Sequence, residues 1–103
     1  MAFGIPELHI SVEYCAAWKH TPRAVSLTTE IFAERELEYF IADWKMIPGS
    51  GGIFDVHIND ELVFSKKAMG RHPEPGEIKA IIQEKIVAIK QAKGLTWETI
   101  PEN

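Results

Sequence analysis

Leu8, Ile10, Val12 and Tyr14 alternate with His9, Ser11 and Glu13. A period of two marks a strand with one side better buried than the other. The period changes at Thr21-Pro22, where Thr can cap free backbone N–H groups and Pro fits the first helical position. Ala24, Leu27, Thr28 and Ile31 then share one stripe, with Val25 and Phe32 beside it. Glu30, Glu34 and Glu36 lie largely off it. This predicts a helix of roughly three to four turns ending near Arg35. Alternation returns from Glu38 to Ile47, with Phe40, Ala42, Trp44 and Met46 on one side. Pro48-Gly49-Ser50-Gly51-Gly52 then breaks regular structure.

Ile53 to Ile58 reads as a third strand and Glu61 to Ser65 as a fourth. Asn59-Asp60 between them tolerates the positive φ of a tight hairpin turn. His72 to Gly76 reads as a loop. From Glu77 to Lys93, Ile78, Ile81, Ile82, Ile86 and Ile89 form the stripe of a long amphipathic helix. Glu77 in its first turn, Lys90 and Lys93 in its last, and Gly94 just beyond all suit the helix dipole and a left-handed stop. Leu95 to Asn103 is a tail in which Trp97 can pack back and the last residues fray. The order is β-α-β-β-β-α. Its first three elements suggest a crossover with a parallel strand pair, followed by a hairpin. The expected fold is α/β, a two-layer sandwich of the thioredoxin-like kind in one domain spanning residues 1–103.

Composition narrows the function classes. The chain has 103 residues, enough for one core and too few for two domains. Acids outnumber bases 15 to 11, giving a net charge of −4, which argues against nucleic acid as a partner. No apolar run approaches the ~20 residues of a membrane span, and Met1 to Glu7 lacks the regions of a signal peptide. A single cysteine forms no internal disulfide, and a cytoplasmic location is expected. His9, His20, His57 and His72 have no metal-ligand spacing, so no metal is expected.

Cys15 is the candidate for chemistry. It follows the first strand and precedes the first helix, where the positive end of a helix dipole favours a thiolate. Two readings of it stand: a reactive thiol in a connecting loop, or an inert buried cysteine of the ordinary kind. Trp18 is either a partner-binding aromatic or a plug over Cys15. His20 reads as a surface histidine, with a role in ionising the thiol as the alternative. Arg23 reads equally as a ligand group or as an ion-pair partner of Glu13. Gly51 and Gly52, with Gly49, lack phosphate-loop spacing and form a conformational loop able to approach Cys15. Trp18 and Trp44 are candidate surfaces for a homodimer.

Val12-Glu13-Tyr14-Cys15-x-x-Trp18 with Arg23-Ala24-x-x-Leu27 resembles the opening signature of the selenoprotein W/T/H family, the Rdx proteins. Gly49-x-Gly51-Gly52-x-Phe54-Asp55-Val56 resembles that family's glycine loop and third strand. Leu62-Val63-Phe64-Ser65-Lys66 and Gly70-Arg71-His72-Pro73 resemble its fourth strand and the turn after it. The match covers about residues 8–90. It implies a thioredoxin-like fold and a glutathione- or thiol-linked redox role, with no resident cofactor and with glutathione or protein thiols as partners. The chain departs from the family at one place. The family carries Cys-x-x-Sec or Cys-x-x-Cys, and here the second position is Trp18. No disulfide can form within this motif. What remains is single-thiol exchange through Cys15, resolved by a second thiol such as glutathione, with His20 and Arg23 as candidate helpers of a thiolate or a glutathione carboxylate. The alternative is an interaction module that has lost catalysis, with the Cys15–Trp18 loop as its contact surface.

Overall fold

β1 (Leu8–Cys15) has a hydrogen-bonded neighbour on each side, and the sheet is built outward from it. In the computed structural model, which describes residues 7–93, the strand is followed by α1 (Thr21–Phe32), α2 (Arg35–Phe40) and β2 (Ile41–Gly49). Then come β3 (Phe54–Ile58), β4 (Glu61–Ser65), α3 (Lys66–Met69) and α4 (Glu77–Lys93). The expectations for Gly94, Trp97 and the tail fall outside the described residues.

The sheet order is β2-β1-β3-β4. β1 pairs parallel with β2 and antiparallel with β3, and β3 pairs antiparallel with β4. The period-two pattern of β1 sends Leu8, Ile10, Val12 and Tyr14 to one face, where Phe54, Val56 and Ile58 of β3 join them. Ala24, Leu27 and Ile31 of α1 and Ile78, Ile82 and Ile86 of α4 complete the same cluster. His9, Ser11, Glu13, Asp55 and His57 stay exposed or half-buried on the opposite face. The result is helices on one side of a mixed sheet, the thioredoxin-like sandwich that the element order predicts.

The Asn59-Asp60 turn forms as expected, with φ of 51° and 69°. The second strand forms but starts later than expected. Arg35–Phe40 form α2, and β2 begins only at Ile41. Leu37 and Phe40 are both buried, and a spacing of three puts them on one face of a helix but on opposite faces of a strand. Accordingly α1 stops at Phe32, and Glu34 takes an extended backbone ahead of α2. Ala42 does not share a face with Trp44 and Met46. The register slips at this point, Leu8 facing Ile41 and His9 facing Asp43, which leaves Ala42 unpaired. Pro48 and Gly49 continue β2 rather than ending it, since an edge strand tolerates a missing N–H. The third strand begins at Phe54, and α3 is an unexpected single turn whose Ser65 hydroxyl accepts the Ala68 N–H at 3.4 Å.

Trp44 is not a free surface aromatic. Its indole N–H donates to Thr28 Oγ1 at 2.9 Å, and its ring meets Phe32 edge-on at 5.5 Å. It fastens β2 to α1. Lys90 on α4 pairs with Glu36 of α2, while Lys79–Glu34 and Lys85–Glu61 are more exposed and contribute at most about 1 kcal/mol each. No helix among the described residues is long and apolar enough to cross a membrane.

Burial of the α4 stripe sets an expected asymmetry. Replacing fully buried Ile82 with Ala should lower the unfolding free energy by about 2–5 kcal/mol, read from the urea midpoint. Val87→Ala, on the exposed side of the same helix, should change it by under ~0.5 kcal/mol. Equal effects would contradict this packing of α4.

Candidate functional site

Cys15 is the last residue of β1, and its exposure is 0%. The sequence places it in a connecting loop, but the sheet holds it. Its N–H donates to the Ile53 carbonyl at 2.9 Å, and its carbonyl accepts the His20 N–H at 3.1 Å. Gly49 lies opposite it in the β1–β2 register, so one glycine of the loop does approach Cys15. Buried as it is, Cys15 stands outside the main apolar cluster.

Residues 16–19 form an exposed turn between Cys15 and α1. Lys19 within it adopts φ 62°. The left-handed region costs a residue with a Cβ about 1 kcal/mol, so the turn holds stored strain. Trp18 is 61% exposed, yet one part of its ring rests on Gly52. A Cβ at Gly52 would come within 2.6 Å of Trp18 Cζ3. Gly51 and Gly52 have φ of 72° and 76°, a reversal suited to glycine. The two loops therefore interlock, ring on backbone.

His20 corrects a second expectation. It is not a surface histidine but only 8% exposed, and it occupies the N-cap of α1 in place of Thr21. Its Nδ1 lies 3.4 Å from the Ile53 carbonyl oxygen, which can only accept, so Nδ1 carries the proton in this contact. The same carbonyl accepts the Cys15 N–H. The His20 ring stands edge-on to His72 at 4.5 Å, to Phe54 at 6.5 Å and to Trp18 at 6.4 Å. His72 also meets Phe54 edge-on at 5.0 Å. Burial holds the His72 pKa down to about 4, helped by the positive charge of Arg23, by His20 and by Lys66. His72 Nδ1 is buried with no hydrogen-bond partner.

The loop carrying His72 is clamped at its base. Arg71 makes a two-pronged pair with Glu77 at 2.7 and 3.0 Å, and Glu77 also accepts the Glu74 N–H at 2.9 Å. These hydrogen bonds, that from Arg71 first, hold the Glu77 carboxyl down to about 2. Between this loop and α1 runs an open groove of about 550 Å³, lined by Pro22, Arg23, Leu27, Phe54 and Pro73 among others. Arg23 is exposed on the first turn of α1 and lies on the groove wall.

The structure thus gathers Cys15, Trp18, His20 and Gly52 at one end of the sheet and sets Arg23 in the adjoining groove. His72 and Phe54 belong to the same assembly, and sequence reasoning missed both. His72 is 52 positions from His20 and shares no local pattern with it. The two meet only in the folded chain, where both rings stand edge-on to Phe54 of β3. Among the described residues no three His, Cys, Asp or Glu side chains are placed to hold a metal ion.

The Trp18–Gly52 contact yields a paired expectation. Gly52→Ala forces the indole off its seat and should shift Trp18 fluorescence as well as cost stability. Gly51→Ala meets nothing within 4 Å and should cost only the backbone strain, about 1 kcal/mol, with the Trp18 signal unchanged. Both are read by emission spectra and urea titration. Matching spectra for the two variants would mean that the ring does not depend on Gly52.

Comparison with known proteins supplies the wider context. The fold is similar to a protein from Bordetella parapertussis, with a TM-score of 0.70 and 22% identity over 77% of this chain and 98% of that one. It is equally similar to the selenoprotein W-related protein of Vibrio cholerae, with a TM-score of 0.71 and 22% identity over 78% of this chain and 98% of that one. No curated protein matches. At such identity these neighbours speak to fold alone. The sequence itself goes further, because the Rdx family profile matches residues 9–84 and so takes in the whole assembly around Cys15. On that match, and with the Trp18 departure described above, the chain belongs to the Rdx family.

Proposed function

We propose that this chain takes part in thiol redox as a single-thiol protein, with Cys15 exchanging disulfides with glutathione or a protein thiol. The observation that carries the reading is the place of the sulfur, at the junction between a fixed strand and a strained, exposed turn. Trp18 leaves the motif no second sulfur, so the resolving thiol comes from outside. In the forward step the Cys15 thiolate, its proton given up to solvent, attacks one sulfur of oxidised glutathione. A Cys15–glutathione disulfide forms, and one glutathione leaves as thiolate. A second external thiol reduces that mixed disulfide and restores Cys15. A glutathione-rich cytoplasm suits a chain with one free cysteine.

Burial imposes a condition on this chemistry. The thiol reacts from a state in which the residue 16–19 turn has opened, and that opening is local rather than global. Lys19 leaves its left-handed conformation in the process, which recovers strain. Local openings of this kind lie well below the 5–15 kcal/mol typical of global unfolding. A second reading rests on the exposed indole of Trp18. In it the loop binds a protein partner and Cys15 is structural.

The test is alkylation of Cys15 under native conditions across low urea concentrations, followed by mass analysis after incubation with oxidised glutathione. Single-thiol exchange predicts a rate slower than that of a free thiol, nearly independent of urea, and one glutathione adduct on folded protein. A rate that tracks global unfolding, with no adduct on folded protein, would sink the exchange reading and leave the Trp18 loop as a binding surface.

A further inference from the structure

We infer that His72 and His20 form an acid-released latch, which holds the residue 16–19 turn closed at Cys15 and frees it when His72 takes up a proton. The inference deepens the single-thiol reading by naming what regulates access to its sulfur.

The latch is defined by contacts. The His20 ring reaches His72 at 4.5 Å, while its Nδ1 points to the carbonyl of Ile53 that also holds the Cys15 N–H. His20 closes the C-terminal end of the turn, its own N–H donating to the Cys15 carbonyl. Displacing the His20 ring therefore disturbs the groups that fix Cys15 from both sides. The far half of the latch is stiff, because Arg71 and Glu77 clamp the loop on which His72 sits.

A proton on His72 is badly accommodated in the closed state. Its buried Nδ1 has no acceptor, so an added N–H would go unsatisfied. The groups facing it come from three elements and from the N-cap of one of them. Arg23 of α1 and Lys66 at the start of α3 are cationic, the imidazole of His20 stands edge-on, and Phe54 of β3 offers only its ring. The neighbouring Arg71 has its charge engaged by Glu77. Glu74 directs its N–H to the same carboxylate.

The sign follows from the shift. His72 titrates at about 4 when closed, against an ordinary value of 6.5. The closed state keeps its full advantage above pH 6.5 and loses it as the pH falls from there toward 4. For an open state with the ordinary value, the opening equilibrium rises about twentyfold from pH 7 to pH 5.

The experiment follows reaction of Cys15 with 4,4′-dithiodipyridine from pH 7 to pH 5. Each rate is divided by that of reduced glutathione at the same pH, which removes most of the ordinary loss of thiolate. Cys15 is the sole thiol, so the signal has one source. The native protein should show a ratio rising at least tenfold, and His72→Phe, whose ring takes no proton, should show a flat one. A flat ratio in the native protein, or an equal rise in both, overturns the latch. Should His72→Phe fail to fold, nuclear magnetic resonance titration of the native histidines decides. A His72 midpoint well below 6.5, with accompanying amide shifts in residues 16–19, supports the latch, and a midpoint at the ordinary value overturns it. The two readings fail separately. Absence of a glutathione adduct at every pH removes exchange and leaves the rise in reactivity intact, whereas an adduct with a flat ratio removes only the latch.

Discussion

The rest of the molecule depends on the pairing of β1 along both of its edges. A strand hydrogen-bonded to β2 on one side and β3 on the other, with Leu8, Ile10, Val12 and Tyr14 sunk in the core, has no freedom to slide. A shift of one residue would turn all four apolar side chains toward the open face. That constraint passes directly to the end of the strand. Cys15 is held by the last pairing positions of β1, and its surroundings inherit the precision of the sheet. The turn that follows lies outside the strand ladder and is held instead by Trp18 on Gly52 and by the Lys19 N–H on the Ala16 carbonyl. The site is a buried sulfur fixed by the sheet beside an exposed turn, which is a different arrangement from a cysteine carried on the loop itself.

Most of the fold was legible because its pattern is local. The alternation of β1, the Asn59-Asp60 turn and the isoleucine stripe of α4 each state their structure within a few residues. The Glu38–Phe40 stretch was misread because it alternates tolerably as a strand. The deciding fact is the joint burial of Leu37 and Phe40, which share one face of a helix but lie on opposite faces of a strand in a sheet covered on one side. The site was legible in identity and not in environment. Cys15, Trp18, His20 and Arg23 could be named from the sequence, but burial is a tertiary property. His20 looks like any solvated histidine until His72 and Phe54 are brought against it. No periodicity joins positions so far apart, and nothing local marks His72 as part of the assembly.

Consecutive polar residues at the start of the 71–76 loop are treated in opposite ways. At its base a carboxylate and a guanidinium share hydrogen bonds, and charge is favoured there. One residue further on, the imidazole of His72 is packed among rings and lacks a partner at Nδ1, and charge is disfavoured. One short loop therefore couples an anchor that is stable as an ion pair to a contact that is stable only when neutral.

The seat of Trp18 on Gly52 also bears on what the departure at position 18 does to this end of the sheet. A large ring at position 18 and a missing side chain at position 52 form one fitted unit. Restoring a cysteine at 18 would bring back a sulfur, but it would leave the platform over Gly52 bare and remove the ring beside His20. At this position the chain has exchanged a redox atom for a structural one, and the sulfur and the ring cannot both be had there.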